Sequence, residues 1–110
     1  MNKVLLISLK GCKQCLKVRE QLNSSSVNFK EISCDQDPSL CDELEEYTKS
    51  SIYPKLIVKS NSTNKSYIYY ISLDNGTLNK EIAIKDNLVL IPAISSDIII
   101  TKVKNKVNEI

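Results

Sequence analysis

Lys10-Gly11-Cys12-Lys13-Gln14-Cys15 sets two thiols with two residues between them, at the junction of an apolar run and a stretch of helical periodicity. Just upstream, residues 3–9 read KVLLISL. A continuous apolar run with β-branched members and no polar alternation suits a central strand covered on both faces. Just downstream, Cys15, Leu16, Val18 and Leu22 recur at three- and four-residue spacing, while Lys17, Arg19, Glu20 and Gln21 fill the opposite side. That pattern predicts an amphipathic helix over 13–23. The polar cluster Asn23-Ser24-Ser25-Ser26 ends it. The first cysteine therefore stands between a buried strand and the start of a helix.

That position has chemical consequences. A thiol at a helix N-terminus meets the unpaired amides of the first turn and the positive end of the helix dipole, which favour thiolate over thiol. Cys12 is expected to ionise below the roughly 8.5 of a free cysteine, with Lys10 and Lys13 adding positive potential. It is the expected nucleophile. Cys15, one turn deeper on the same side of the helix, is placed to resolve a mixed disulfide. Gly11 gives the strand-to-helix turn its backbone freedom and lets a partner chain come close.

The rest of the sequence bounds this reading. A chain of 110 residues suits one domain over 1–110, and 42% apolar with 25% charged residues is ordinary for a globular protein. The net charge of +2 is interspersed, with no dense basic face for nucleic acid. No apolar run approaches the roughly 18 to 20 residues that span a bilayer, and the N-terminal residues lead straight into a strand rather than a signal peptide. A cytoplasmic setting without membrane or nucleic-acid partners is expected. There is no histidine, which removes Cys-His and Ser-His hydrolase chemistry and imidazole-dependent zinc sites.

Downstream, Val27-Asn28-Phe29-Lys30-Glu31-Ile32 predicts a second strand, and Asp37 and Pro38 can cap and open a helix over 38–49, with Leu40, Leu44 and Tyr47 on one face. Leu56-Ile57-Val58 and Tyr67-Ile68-Tyr69-Tyr70-Ile71 flank a turn cluster and predict an antiparallel hairpin. Asp74-Asn75-Gly76 is a further turn signal. Beyond it Glu81-Ile82-Ala83-Ile84 and Leu88-Val89-Leu90-Ile91 admit a small extra hairpin, a loop strand or one buried extended segment. A terminal helix follows Ser95-Ser96-Asp97, with Ile99, Val103, Val107 and Ile110 on its apolar face.

Two further cysteines, Cys34 and Cys41, leave alternatives open. They read as small buried hydrophobes or as a second disulfide. With Cys12 and Cys15 they also admit a binding module whose four sulfurs hold zinc or an iron–sulfur cluster, although a six-residue spacing containing a helix start is unlike a zinc knuckle. The redox reading assigns no metal. Pro54 lacks an amide donor and belongs at the start of a strand.

Taken together, the Lys10-Gly11-Cys12-Lys13-Gln14-Cys15 junction, the acidic Asp35-Gln36-Asp37-Pro38 turn, and Ile52-Tyr53-Pro54-Lys55-Leu56-Ile57-Val58 some forty residues after the dithiol resemble the glutaredoxin branch of the thioredoxin superfamily, over about residues 3–73. The resemblance implies an α/β thioredoxin fold: a four-stranded mixed sheet flanked by helices, here with an insertion before the C-terminal helix. It implies a thiol-disulfide oxidoreductase and electron carrier in which Cys12 attacks, Cys15 resolves and Pro54 is cis. Substrate would meet Lys10, Gly11, Lys13, Tyr53 and Pro54. Partners would be protein disulfides or dithiols, with glutathione as a candidate co-substrate and no bound cofactor. Lys13-Gln14 stand where typical members carry Pro-Tyr, and Ile52-Tyr53-Pro54 where they carry Thr-Val-Pro. The Gly-Gly pair and acidic residue that hold glutathione before the last helix are not evident. The layout also resembles small glutaredoxin-like proteins of large DNA viruses, including the poxviral glutaredoxin-2 type.

Overall fold

The computed structural model describes residues 3–74, 76, 78 and 80–108. Its elements in chain order are β1 (Lys3–Ser8), α1 (Lys13–Ser24), β2 (Lys30–Ser33), α2 (Pro38–Thr48), β3 (Lys55–Lys59), β4 (Ser66–Ile71), β5 (Ile82–Lys85), β6 (Leu88–Ala93) and α3 (Ser96–Val107). The strands form one sheet in the order β2-β1-β3-β4-β6-β5. β1 runs parallel to β2 and antiparallel to β3, with Leu6 opposite Glu31 and Leu56. The β3–β4 hairpin is antiparallel, with Ile57 opposite Ile68.

The expected four-stranded sheet is thus a six-stranded one, within the expected fold class. The two apolar runs after residue 80 form an antiparallel hairpin, and its second strand pairs in parallel with β4 from Ser66↔Leu88 to Ile71↔Ala93. β4 is buried almost throughout, so leaving its outer edge unpaired would strand a row of backbone groups against apolar side chains. β6 supplies those partners.

Side chains alternate across the sheet between two apolar clusters, as strand geometry requires. Val4, Leu6, Leu56, Val58, Tyr67, Tyr69, Val89 and Ile91 face Val18 and Leu22 of α1 and Ile99, Ile100 and Val103 of α3. Ile7, Ile57, Ile68, Tyr70 and Leu90 face Cys41 and Leu44 of α2. Burial on both faces explains why β1, β3 and β4 read as unbroken apolar runs rather than alternating ones.

The helix boundaries follow their caps. Asp37 Oδ1 accepts the Leu40 amide at 3.2 Å, with Pro38 at the first helical position, and Lys49 closes α2 in the left-handed region. Ser95 Oγ accepts the Ile98 amide at 3.3 Å at the start of α3. Two sequence expectations shift. Leu16, assigned to the apolar face of α1, is 49% exposed, and Cys15, Val18 and Leu22 make that face alone. β2 begins at Lys30 rather than Val27, because Ser26 turns through φ +59° and the Val27 amide is held by the Leu22 carbonyl. Asn75 of the predicted turn and Ile110 of the terminal helix lie outside the described residues.

Candidate active site

Cys12 is the N-cap of α1. Its backbone is extended (φ −82°, ψ 107°), and its Sγ accepts the Cys15 amide at 3.0 Å. Gly11 turns the chain from β1 into the helix at φ +76°, a conformation that costs an L side chain roughly 1 kcal/mol or more. Cys12 and Cys15 are disulfide-bonded with their Cα atoms 5.2 Å apart. The two sulfurs differ in access: Cys12 is half-buried, whereas Cys15 is 1% exposed within the cluster beneath α2. An attacking or attacked sulfur is thereby presented, and its partner is withdrawn.

The second side of the site is the turn before β3. Tyr53-Pro54 is a cis peptide bond, as the resemblance implies, and the Tyr53 carbonyl oxygen lies 3.9 Å from Cys12 Sγ. This turn is anchored from several directions. The Tyr53 hydroxyl donates to Glu45 Oε2 of α2 at 2.8 Å. Burial, and then Glu45, push its phenol pKa up, so it remains a neutral donor. Lys55, the first residue of β3, is fully buried, and its Nζ donates to the carbonyls of Ser50 at 2.8 Å and Ile52 at 3.1 Å while lying 3.9 Å from the centre of the Tyr53 ring. Desolvation pulls its pKa down to about 8, against a smaller upward pull from Glu45. Ser50 Oγ donates to the Ile71 carbonyl at 3.0 Å, tying the same turn to β4.

The predicted site residues divide between two sides of Cys12. Lys10, Gly11 and Lys13, all exposed, line a groove of about 500 Å³ together with Cys12 and Leu16. Tyr53 and Pro54 are buried on the other side, where the Tyr53 carbonyl faces the sulfur. The far wall of the groove carries a polar group that the sequence did not single out. Arg19 makes a two-pronged ion pair with Glu31, Nε to Oε1 at 2.5 Å and Nη2 to Oε2 at 2.6 Å, and Ser8 Oγ donates to Glu31 Oε2 at 2.8 Å. Arg19 first, then the Ser8 hydroxyl, hold the Glu31 carboxyl below its usual range, although partial burial opposes them. The β1–β2 register, which sets Leu6 opposite Glu31 and Ser8 opposite Ser33, and the placement of α1, which carries Arg19, together bring these residues into contact.

Gln14, between the cysteines, accepts a hydrogen bond from Ser96 Oγ at 3.3 Å, which joins the start of α3 to the start of α1. Cys34 and Cys41 form a second disulfide, Cα–Cα 5.7 Å. All four sulfurs are therefore bonded in pairs, and among the described residues no group of three or more His, Cys, Asp or Glu is arranged to hold a metal ion. Among them, too, no helix is long and apolar enough to cross a membrane.

The glutaredoxin family profile matches residues 4–62, which includes both cysteines of the dithiol and the cis proline. No curated protein matches in sequence. Among solved structures, a mutant of the thioredoxin-like protein BC3987 is similar at 22% identity and a TM-score of 0.45, covering 50% of this chain and 74% of that one.

Proposed function

The chain belongs to the glutaredoxin family, and from that premise we propose that it exchanges disulfides with protein partners through Cys12 and Cys15. The family implies thiol oxidoreductase activity in general. One observation carries the assignment of roles: Cys12 Sγ is half-buried at the N-cap and accepts the Cys15 amide, while Cys15 is enclosed. The amide hydrogen bond and the helix dipole act on the thiolate of the reduced form, where negative charge has to be held.

In the reduced protein, the Cys12 thiolate attacks one sulfur of a partner disulfide. A Cys12–partner bond forms, the partner's sulfur–sulfur bond breaks, and the second partner sulfur leaves as a thiolate. Cys15 then gives its proton to solvent and attacks Cys12, restoring the Cys12–Cys15 disulfide and releasing the reduced partner. The reverse sequence oxidises a partner dithiol. A peptide lying between the groove and the Tyr53 carbonyl would bring its sulfur to Cys12, with Lys10, Gly11 and Lys13 on one side and Tyr53 and Pro54 on the other.

Protein partners are favoured over glutathione alone by the start of α3. Ser95 is occupied as a helix cap there, and Ser96 is bonded to Gln14. Reduction of a disulfide-bonded peptide and of a glutathione mixed disulfide should be compared in the same assay. Cys12→Ser is expected to abolish both, and Cys15→Ser to accumulate a Cys12–partner mixed disulfide detectable by mass. Turnover of the peptide by Cys12→Ser would overturn the nucleophile assignment. Faster turnover of the glutathione adduct than of the peptide would overturn the partner class.

A further inference from the structure

The second disulfide repeats the layout of the first. In each pair one member is half-buried, Cys12 or Cys34, and the other is enclosed, with Cys15 1% and Cys41 4% exposed. In each, the enclosed cysteine occupies the first turn of a helix, Cys15 in α1 and Cys41 in α2. All four pack into a single apolar cluster with Ile7 and Tyr53. The Cys34 amide donates to the Ser8 carbonyl at 2.8 Å, so the chain carrying Cys34 runs beside the segment that leads into Cys12.

Bracing alone does not single out this stretch. A cross-link gains most by closing a long loop, and this one spans a sequence separation of only 7. That short stretch is already held by the Asp37 cap, by the Gln36 amide on the Ser33 carbonyl, and by the Gln36 side chain accepting the Ser33 amide at 3.0 Å.

We propose that Cys34–Cys41 is a second thiol–disulfide exchange centre that passes its oxidation to the Cys12/Cys15 pair of the same molecule, so that the fully oxidised chain delivers two disulfides to dithiol partners. This rests on the reading of Cys12 as the nucleophile. After Cys12 and Cys15 have oxidised one partner dithiol and are themselves reduced, the Cys12 thiolate attacks Cys34 Sγ. A Cys12–Cys34 bond forms, the Cys34–Cys41 bond breaks, and Cys41 leaves as a thiolate that takes a proton from water. Cys15 then loses its proton to water and attacks Cys12 Sγ, releasing Cys34 as a thiolate. Two electrons have moved from Cys12 and Cys15 to Cys34 and Cys41, and the re-formed Cys12–Cys15 disulfide meets a second partner dithiol.

The test counts disulfides. The fully oxidised chain is mixed with excess dithiol peptide without other oxidants, quenched with acid, and the oxidised peptide is measured. The intact protein is expected to yield two equivalents per chain, Cys34→Ser/Cys41→Ser one, and Cys12→Ser/Cys15→Ser none. One equivalent from the intact protein overturns the relay, as does one from Cys12→Ser/Cys15→Ser, because Cys34–Cys41 would then exchange without Cys12. No product from Cys34→Ser/Cys41→Ser, in a chain shown to be folded by circular dichroism, would refute the Cys12 reading itself. A second measurement does not depend on that variant folding. Cys15→Ser/Cys41→Ser in oxidised glutathione should form a Cys12–Cys34 bond to the same extent over a hundredfold range of protein concentration. Recovery of Cys12 and Cys34 only as separate glutathione adducts would overturn the relay.

Discussion

Among the described residues no carboxylate is paired with the enclosed Lys55 ammonium, on which Glu45 acts only at a distance, and the cost of that arrangement should appear as an alkaline rise in stability. Its partners are the Ser50 and Ile52 carbonyls and the face of Tyr53, all neutral, so burial dominates and the folded-state pKa falls from 10.5 to about 8. Below pH 8 both folded and unfolded chains hold the proton, and the folded state carries the full cost of an enclosed charge. Between about pH 8 and 10.5 the folded protein releases the proton while the unfolded chain keeps it, so stability climbs with pH through that window. At 1.36 kcal/mol per pKa unit the whole effect is about 3 kcal/mol, of which about 2 kcal/mol is recovered between pH 7 and pH 9.5.

The assay is urea denaturation of the oxidised protein at those two pH values, for the natural chain and for Lys55→Met. The variant subtracts all other titrations, including those of Tyr53 and Tyr70, whose pKa values are pushed up by burial and whose stabilising effect is lost only above about pH 10. The stability difference between the two proteins should move toward the natural chain by about 2 kcal/mol as the pH is raised. A difference that stays flat, or moves the other way, would refute the account of Lys55 as a charged group held against desolvation. The substitution also removes the ammonium from the Ile52 carbonyl and leaves the Ser50 carbonyl only the Thr48 hydroxyl at 3.3 Å, so it should loosen the turn that sets the Tyr53 carbonyl beside Cys12. A lower exchange rate at pH 7 is the expected accompaniment.

Gly11→Ala meets no atom within 4 Å of the added Cβ, but it must hold φ +76°, so a loss of about 1 kcal/mol in denaturation and slower exchange are expected. Asp37→Ala removes the α2 cap and should cost about 1 kcal/mol, read as a lower denaturation midpoint with an unchanged slope. Removing the second disulfide with Cys34→Ser/Cys41→Ser should lower stability by about 2 kcal/mol, the loop-closure value for so short a span. Glu31→Gln should cost no more than about 1 kcal/mol, because the pair is partly solvated. The carboxyl is held low, so that contribution is present above its unfolded pKa and disappears as the pH falls through the folded one. Equal stability differences at pH 6 and pH 3 would contradict it.

The parts of this protein that could be read from sequence are those set by local periodicity and capping. The dithiol at the strand-to-helix junction, the Asp37-Pro38 helix start, the Ser95 cap and the β3–β4 hairpin each depend on neighbours within a few residues. The rhythm misplaces Leu16, because a three- and four-residue spacing tolerates one position either way and does not say which positions the sheet covers. The pairing of β6 with β4 was not legible, since a run such as Leu88-Val89-Leu90-Ile91 states that it is buried without stating its neighbour. The Arg19–Glu31–Ser8 group and the Cys34–Cys41 bond are joined by strand register and helix placement, which spacing does not encode. Lys55 was invisible for a different reason: a lysine after a proline at a strand start reads as surface, and only the enclosure of the preceding turn makes it a buried cation.

Three interruptions of regular structure converge on one end of the sheet, and their convergence explains why the dithiol sits there. β1 ends at Ser8 and turns through Gly11 into α1, the Tyr53-Pro54 turn delivers β3 beside β1, and α3 begins at Ser96 where β6 ends. Each interruption leaves backbone groups unused by the sheet: the amides at the start of α1, the Tyr53 carbonyl and the start of α3. The Cys15 amide reaches Cys12 Sγ, the Tyr53 carbonyl faces the same sulfur, and Ser96 holds Gln14 between the cysteines. The extra β5–β6 hairpin takes part in this arrangement, because β6 pairs with β4 as far as Ala93 and so determines where α3 begins. Lengthening the connection between Ala93 and Ser96 should therefore release Gln14 and alter exchange at Cys12 while leaving the six-stranded sheet intact, a separation that exchange rates and denaturation midpoints measured on the same variant would resolve.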